Sequence, residues 1–472
     1  MGNREIAVKL YNSGVTTSND KSHPSNLSTA YTQFVSAAYA DPTWSTAFYQ
    51  AGNNASDLNH LHTAVACYWR ALECSPDPAE RARILCNLSW RLHGTGRIAE
   101  ALDLADRALA IEPTLPLAHL NRAQALGAVG RNREGVEAAR RGFELDAEQA
   151  LKEGRKPDPV IEMCLAFQLL FNRQFAEGFR HFESRFTYKL HSFLYYPYPK
   201  WTGEPDGTLF LVADQGLGDT ISFARFVPLA AKRARYIHCC IQPELLTVFQ
   251  EAFVGLPNVN LLPSPTNFPA ADYWSTFVSL PFALSLTDDE IRNTPHVTFR
   301  PESRPAPWKV TDRTFHVGIQ WAGSSLNDIN VHRSIPLPQF LDLYRVPGIQ
   351  LYSLQVDDSR KQLAEHGVAP VVQDLSGFIR DVADTLSTLK HLDLVICCES
   401  ALGHICALAG KDCWIAYSYL GRDYRASIDG KDPIWTPRHR FFSQGPEAKW
   451  QPVFDEIVKA LRVRVDEYRG RA

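Results

Sequence analysis

A repeat of 34 residues in the first third of the chain narrows the available folds more than any other feature. Asp41-Pro42 and Ser75-Pro76 stand 34 residues apart, and Glu112-Pro113 follows 37 residues later. One further step of 34 reaches Asp146-Ala147, the same place without the proline. Gly96 and Gly130 are also 34 apart. Between these points the pattern is helical. Small residues recur in the second helix of each pair, at Ala64, Ala71, Ala101, Ala105, Ala108 and Ala139. A helix-turn-helix unit of this period is the tetratricopeptide (TPR) signature. Small side chains let neighbouring helices approach, and a proline ends one hairpin before the next begins. Stacked units bury a continuous core and leave a concave face. Such an α-solenoid is expected over residues 27–187, after a polar, flexible N-terminal segment at 1–26. Its face can be a plain spacer or a groove for a protein partner, and repeat surfaces commonly serve as grooves.

The second informative stretch is TLFLVADQGLGDTISFARFVPLAA, Thr208 to Ala231. Its apolar run, Leu209 to Ala213, suits a strand buried on both faces. Gly216 and Gly218 allow a sharp turn and the close approach of a ligand. Strand, glycine turn and helix begin an open α/β domain, whose ligand clefts lie at the carboxyl ends of the strands. Asp219 has two readings there. It can cap the helix it opens, or it can aim a carboxylate into the cleft as a general base. The glycines do not form the six-residue dinucleotide fingerprint.

A second α/β domain begins at His316, with a strand running into Gly323. Strands at Gln350–Leu354, Val371–Asp374, Leu392–Cys398 and Asp412–Ala416 follow, and a helix from Gln451 closes the chain. The organisation expected is a linker at 188–206, an α/β domain at 207–300, a proline-rich hinge at 301–315 and a second α/β domain at 316–472. The strand ending at Cys398 runs into Glu399-Ser400-Ala401-Leu402-Gly403-His404. The N–H groups at a helix start there form an anion site suited to a diphosphate. Glu399 can accept hydrogen bonds from sugar hydroxyls, or be an acid placed by the helix dipole. His404 can donate to a phosphate or be a core-edge histidine. Arg333 beside Ser334 suits a phosphate through charge-assisted bonds, or lies on a surface loop.

Composition removes several classes. A net charge of -3 gives no footprint for nucleic acid. Arg122, Arg131, Arg133, Arg140 and Arg141 read as a solvated helix face. No apolar stretch reaches the length of a membrane span, and the N-terminus lacks a signal-peptide core. Cys239-Cys240 and Cys397-Cys398 lie in strand-like runs, where neighbours point to opposite faces. They suit reduced, buried thiols and a cytoplasmic protein. No metal constellation is seen, neither HExxH nor a DxD triplet, so no metal and no resident cofactor are expected.

From Phe175 onward the chain resembles the tetratricopeptide-repeat glycosyltransferases of bacteria, whose catalytic half is similar to the heptosyltransferases. The likeness is carried by FAEGFRHFESRF, PKWTGEP, DQGLGDTISFARFVPLAA, VGIQWAGS, HRSIPL, YSLQ, DVADTLSTLKHLDLVICCESALGHICALAGK and DPIWTPRHRFF, in that order. The resemblance implies a GT-B architecture of two Rossmann-like domains. The second would bind a nucleotide-sugar donor without metal, and the first would present a hydroxyl acceptor. It implies Asp219 as the base and Arg333 at the donor phosphates. Where the family reads Asp-Thr, this chain has Glu399-Ser400, with His404 kept. The acceptor implied is a protein docked by the repeats. Two other readings are a non-catalytic TPR adaptor with a degenerate transferase domain, and an enzyme acting on lipid-linked or polysaccharide acceptors.

Overall fold

A computed structural model of the chain describes residues 3–20, 22–23, 25–187, 196–264, 267–299, 314–323, 330–419, 423–426, 435–436 and 438–471. The expected hinge at 301–315 falls almost wholly outside these residues. The chain forms two compact units, Met1–Asn172 and Arg173–Ala472.

In the first unit the described residues form helices α1 (Asn3–Asn19), α2 (Asn26–Ala40), α3 (Ser45–Asp57), α4 (Leu61–Cys74), α5 (Pro78–Gly94), α6 (Ile98–Ile111), α7 (Pro116–Ala128), α8 (Asn132–Glu153) and α9 (Pro159–Phe171). The first eight pack as hairpins, α1 on α2, α3 on α4, α5 on α6 and α7 on α8. One turn closes the first helix of three hairpins. His60 N–H donates to Ala55 O at 2.8 Å, and Arg97 to Leu92 and Arg131 to Leu126, each at 2.9 Å. The residue before each donor, Asn59, Gly96 or Gly130, has φ between 59° and 81°. This is the six-to-one hydrogen bond of a Schellman cap, whose left-handed residue favours glycine or asparagine. The second-helix alanines Ala64, Ala71, Ala101, Ala105 and Ala108 are fully buried, as close helix packing requires. Asn87 Nδ2 donates to Asn53 Oδ1 at 3.1 Å and Asn121 Nδ2 to Cys86 O at 2.7 Å, which ties α5 to α3 and α7 to α5.

The segment at 1–26 corrects one expectation. Instead of a flexible lead-in, α1 packs on α2, with Ala7 and Gly14 buried. A Cβ on Gly14 would stand 2.8 Å from the Phe34 ring, so the small residue is what lets this polar helix lie down. The repeat array therefore starts at Asn3. Three of the five arginines read as a solvated face do pair with local acids, Arg122 with Asp106, Arg131 with Glu134 and Arg141 with Glu144.

The second unit opens with α10 (Phe175–Phe182) and a 3₁₀ turn, Glu183–Thr187. These residues belong with the sheets rather than with the repeats. Phe179 packs edge-on against Phe223, Tyr424 and Trp435. Two parallel sheets follow. The first contains β1 (Thr208–Val212), β2 (Tyr236–Ile241), β3 (Val259–Pro263) and β4 (Tyr273–Thr276), in the order β3-β2-β1-β4. The second contains β5 (Phe315–Gln320), β6 (Ile349–Ser353), β7 (Val372–Asp374), β8 (Leu394–Cys398), β9 (Cys413–Tyr417) and β10 (His439–Ser443), in the order β10-β9-β8-β5-β6-β7. Counted from its own first strand, that order is 3-2-1-4-5-6, the doubly wound arrangement of Rossmann sheets. Every ladder is parallel, with Leu211 beside Cys239 and Ser275, and Ile319 beside Ser353 and Ile396. The C-terminal helix, Gln451–Arg471, buries Phe454, Ile457, Leu461 and Val465 against one face of the second sheet. Strand β10 was not anticipated. In His439-Arg440-Phe441-Phe442-Ser443 polar and apolar residues do not alternate cleanly, as suits an edge strand.

Arg185 is a fully buried cation near β1. Its guanidinium donates to Glu183 Oε1 at 2.7 Å, Asp214 Oδ2 at 3.1 Å, Thr276 Oγ1 at 2.9 Å and Ser279 Oγ at 2.8 Å. Arg185→Met would leave the Asp214 carboxylate, whose side chain is 1% exposed, without its cation. The loss expected is about 3–5 kcal/mol. Urea denaturation should show it in the transition of the second unit, with the helical repeats unfolding as in the wild type.

Candidate active site at the strand ends

In a doubly wound sheet the strand order reverses beside the first strand, and the crevice opens at the carboxyl ends on either side of that point. In the first sheet that place follows β1, where the chain turns through Asp214 to Gly216 into α11 (Leu217–Phe223). In the second sheet it follows β5 and β8, at Gly323 and Glu399. The two edges meet: α11 packs against the helix Ala401–Leu408 that Glu399 and Ser400 precede.

The Asp219 carboxylate faces both the start of its own helix and the second sheet's edge. Its Oδ2 accepts the Gly216 N–H at 3.1 Å, which caps the helix. Its Oδ1 lies 2.8 Å from Nη1 of Arg425, on the second sheet's side. Burial raises its pKa above the ordinary carboxyl value, and the Arg425 guanidinium opposes that rise. Arg425 is itself held by Asp423, with Nε 2.9 Å from Oδ2, and by its own N–H, 2.8 Å from Oδ1.

Gly218 allows the edges to touch, since a Cβ there would stand 2.5 Å from His404 Cδ2. His404 Nδ1 lies 2.9 Å from Ser222 Oγ. The Ser222 hydroxyl donates its one proton to Gly218 O at 2.8 Å, so it accepts from His404. The imidazole is therefore the Nδ1–H tautomer, with Nε2 as its acceptor. Burial first and Arg425 second hold its pKa well below the ordinary histidine value, so the ring is neutral.

Glu399 sits among these charges. Burial pushes its pKa up to about 8. The Asp423 and Asp219 carboxylates add to the rise, and Arg333 and Arg425 work against it. Its Oε2 is buried with no hydrogen-bond partner among the described residues. Arg333 ends the short helix Asn330–Arg333, and its Nε is likewise buried without a described partner. Gly323 makes room for it: a Cβ there would lie 3.1 Å from Arg333 Nη2. The other two expected residues are engaged elsewhere. Ser334 Oγ donates to Asn330 Oδ1 at 3.2 Å. Ser400 Oγ donates to Gln320 Oε1 at 2.6 Å, which joins β8 to β5 instead of capping the helix that starts at Ala401.

Asp423, Arg425 and Gln355 are the site residues that sequence reasoning missed. Gln355 Oε1 accepts the N–H groups of Trp321 and Ala322 at 3.2 and 3.1 Å, fixing the turn before Gly323. A signal for the charged pair existed. Asp423-Tyr424-Arg425 closely follows an apolar strand, and all parallel strands end on one edge. Glu399, His404, Asp423, Arg425, Thr436 and His439 line a cavity of about 30 Å³, room for about one water molecule. Larger grooves of about 810 and 860 Å³ lie along the C-terminal helix and beside β7, away from Asp219. Among the described residues no group of three His, Cys, Asp or Glu side chains could hold a metal ion, and no helix is long and apolar enough to cross a membrane.

Comparison with known proteins places the chain near one curated relative. It is 23% identical over 450 residues to protein FlbA of Caulobacter vibrioides, covering 86% of this chain and 71% of that one. No family model matches the chain. Among solved structures, MamA of Desulfovibrio magneticus RS-1 is 16% identical with a TM-score of 0.32, covering 38% of this chain and 92% of its own. Pseudomonas aeruginosa PilF is also 16% identical with a TM-score of 0.32, over 39% of this chain and 77% of its own. The repeat assignment stands on the recurring helices and caps of the chain itself.

The proton on Glu399 has a measurable consequence. The ordinary value of 4.5 applies unfolded, and about 8 applies folded. Between them the folded state binds more protons than the unfolded one, so this group's contribution to stability falls as the pH rises. Glu399→Gln keeps the shape and removes the titration. Its stability relative to the wild type should increase from about pH 5 to pH 8 in chemical denaturation. A difference that stays constant with pH would show that Glu399 does not titrate there.

Proposed function

We propose that this chain is a glycosyltransferase of the GT-B type that moves a sugar from a nucleotide-sugar donor to a hydroxyl acceptor without a metal. The observation that supports the reading most is the meeting of Asp219, at the glycine turn of the first sheet, with Arg425, Glu399 and His404 at the strand ends of the second. A carboxylate is thereby set opposite guanidiniums and a helix start, an acceptor side facing a donor side.

In this reading Asp219 takes the proton from the acceptor hydroxyl as that oxygen bonds to the anomeric carbon. The bond from that carbon to the donor's phosphate oxygen breaks, and the nucleoside diphosphate leaves with the electron pair. Arg333 and the N–H groups at Ala401 and Leu402 stabilise the departing charge, which is the largest contribution such a site can make. The repeats of the first unit serve as the dock for a protein acceptor, since stacked helix pairs present an extended face for that purpose. A reducing, cytoplasmic setting belongs to the same reading. All ten cysteines are free, and the sulfurs of Cys397 and Cys413 lie 3.6 Å apart without bonding.

A second reading, a TPR adaptor that has lost turnover, is favoured by one feature. The described residues enclose only about 30 Å³ beside Glu399, so a donor needs the two edges to part.

Calorimetry against a panel of nucleotide sugars separates the two. The transferase reading expects one donor to bind wild type and Asp219→Asn alike and Arg333→Ala at least about tenfold more weakly. Transfer to a hydroxyl should fall by about 100-fold or more in Asp219→Asn. A folded protein that binds no nucleotide sugar would leave the adaptor reading in place.

A further inference from the structure

The cation in contact with Asp219 does not come from its own sheet. Asp219 lies in the first turn of α11, while Arg425 lies beyond β9. Each carboxylate oxygen has one close partner, the Gly216 N–H that donates to Oδ2 at 3.1 Å and the Arg425 guanidinium, whose Nη1 lies 2.8 Å from Oδ1 as an ion pair. Arg425 is in turn rigid, because Asp423 accepts from both its Nε and its backbone N–H. Its side chain is 12% exposed.

We propose that Arg425 is a positioning residue for Asp219, aiming its carboxylate and keeping it charged, so that the proton acceptor is complete only while the two strand edges touch. This rests on the reading of Asp219 as the base. The groups acting on Asp219 divide by sign. Burial disfavours the carboxylate, as do Asp423 beside Arg425 and Asp214 at the end of β1. Arg425 and the Gly216 N–H favour it. Glu399 and Tyr424 also face it, and both are neutral at pH 7. Arg425 is thus the one full positive charge among the groups that act most strongly on this carboxylate. If the edges part, Asp219 keeps the Gly216 N–H, loses the guanidinium that faces its other oxygen and meets water, so the carboxylate is no longer aimed from both sides. The Ser222–His404 hydrogen bond joins the same two edges, so the contact that presents the base also closes the site.

The test is carbon-13 NMR titration of the aspartate carboxyls in the full chain, with Asp219→Asn identifying the Asp219 resonance. Arg425→Gln should raise the midpoint of Asp219 by about 1 or more. Asp423→Asn should lower it, because a like charge goes and Arg425 is left to Asp219 alone. A purely structural role for Arg425 would not move the midpoint in opposite directions in the two variants. Midpoints that stay put, or move the same way, overturn the proposal. Should Arg425→Gln fail to fold, Asp423→Asn decides alone, and a midpoint that does not fall overturns it. With an active donor in hand, the acid limb of the kcat/KM profile should rise in Arg425→Gln with the donor KM unchanged. Absence of transfer with every donor would sink the glycosyltransferase reading and still leave the two titrations to decide what Arg425 does.

Discussion

A buried guanidinium fixes where the first sheet's turn can stand. Arg185 is fully buried, and a charge so placed is tolerable only when its donors are met. Glu183, Asp214, Thr276 and Ser279 meet them, and Phe186 covers its face at 4.1 Å. These partners come from the segment after α10, from the end of β1 and from the end of β4. One side chain therefore joins three pieces of chain at the carboxyl edge of the sheet. Asp214 begins the turn that ends in α11, so the position of Asp219 follows from a charge that touches no part of the cleft.

The second sheet supplies the other edge by a different route. Its strands all run parallel, so every strand-to-helix turn falls on one side. Gly323 after β5, Glu399 after β8 and Arg425 after β9 gather there without any sequence proximity. What holds the two edges together is directional. The Ser222 hydroxyl has one proton and gives it to Gly218, so His404 must be the donor across the contact. A hydrogen bond of that sense needs a proton on Nδ1, and burial keeps the ring neutral, which leaves Nε2 as its acceptor. Packing, tautomer and charge are consistent at this residue, as they are not for a histidine free to titrate near pH 6.5.

Most of the architecture was legible because it rests on period and punctuation. The 34-residue spacing of Gly96 and Gly130 survives as identical caps, and the strand Thr208–Val212 stands where the apolar run Leu209 to Ala213 placed it. The first helix was illegible for a local reason. Asn3–Asn19 is largely polar, and its packed side is marked by the small buried residues Ala7 and Gly14 with the half-buried Leu10, Tyr11 and Val15. Around the site, Asp219 and Glu399 could be singled out because each lies just past a strand at a helix start, and His404 because it lies in the first turn of the helix that follows Glu399. Arg425 and Asp423 could not be ranked above other charged residues, since their role depends on a partner some 200 residues away in sequence. Ser334 and Ser400 bond to protein groups that their positions in the sequence do not indicate. A hydroxyl near a helix start can cap, or bond sideways to Asn330 or Gln320, and only the fold chooses.

The charges at the meeting edges account for the proton on Glu399. Asp219, Asp423 and Glu399 face Arg333 and Arg425, three carboxylates against two guanidiniums. In an enclosure that excludes water an unbalanced charge is far more costly than a proton taken from solvent. One proton restores neutrality. It cannot sit easily on Asp423, whose two oxygens accept from Arg425, nor on Asp219, where Oδ2 accepts the Gly216 N–H and Oδ1 lies 2.8 Å from the Arg425 guanidinium. Glu399 has a buried oxygen with no hydrogen-bond partner among the described residues, so the proton is least costly there. A carboxyl one methylene longer than aspartate thus takes the balancing proton of the cluster. Its raised pKa and the lowered pKa of Asp423, where Arg425 outweighs burial, are one electrostatic fact seen from two residues.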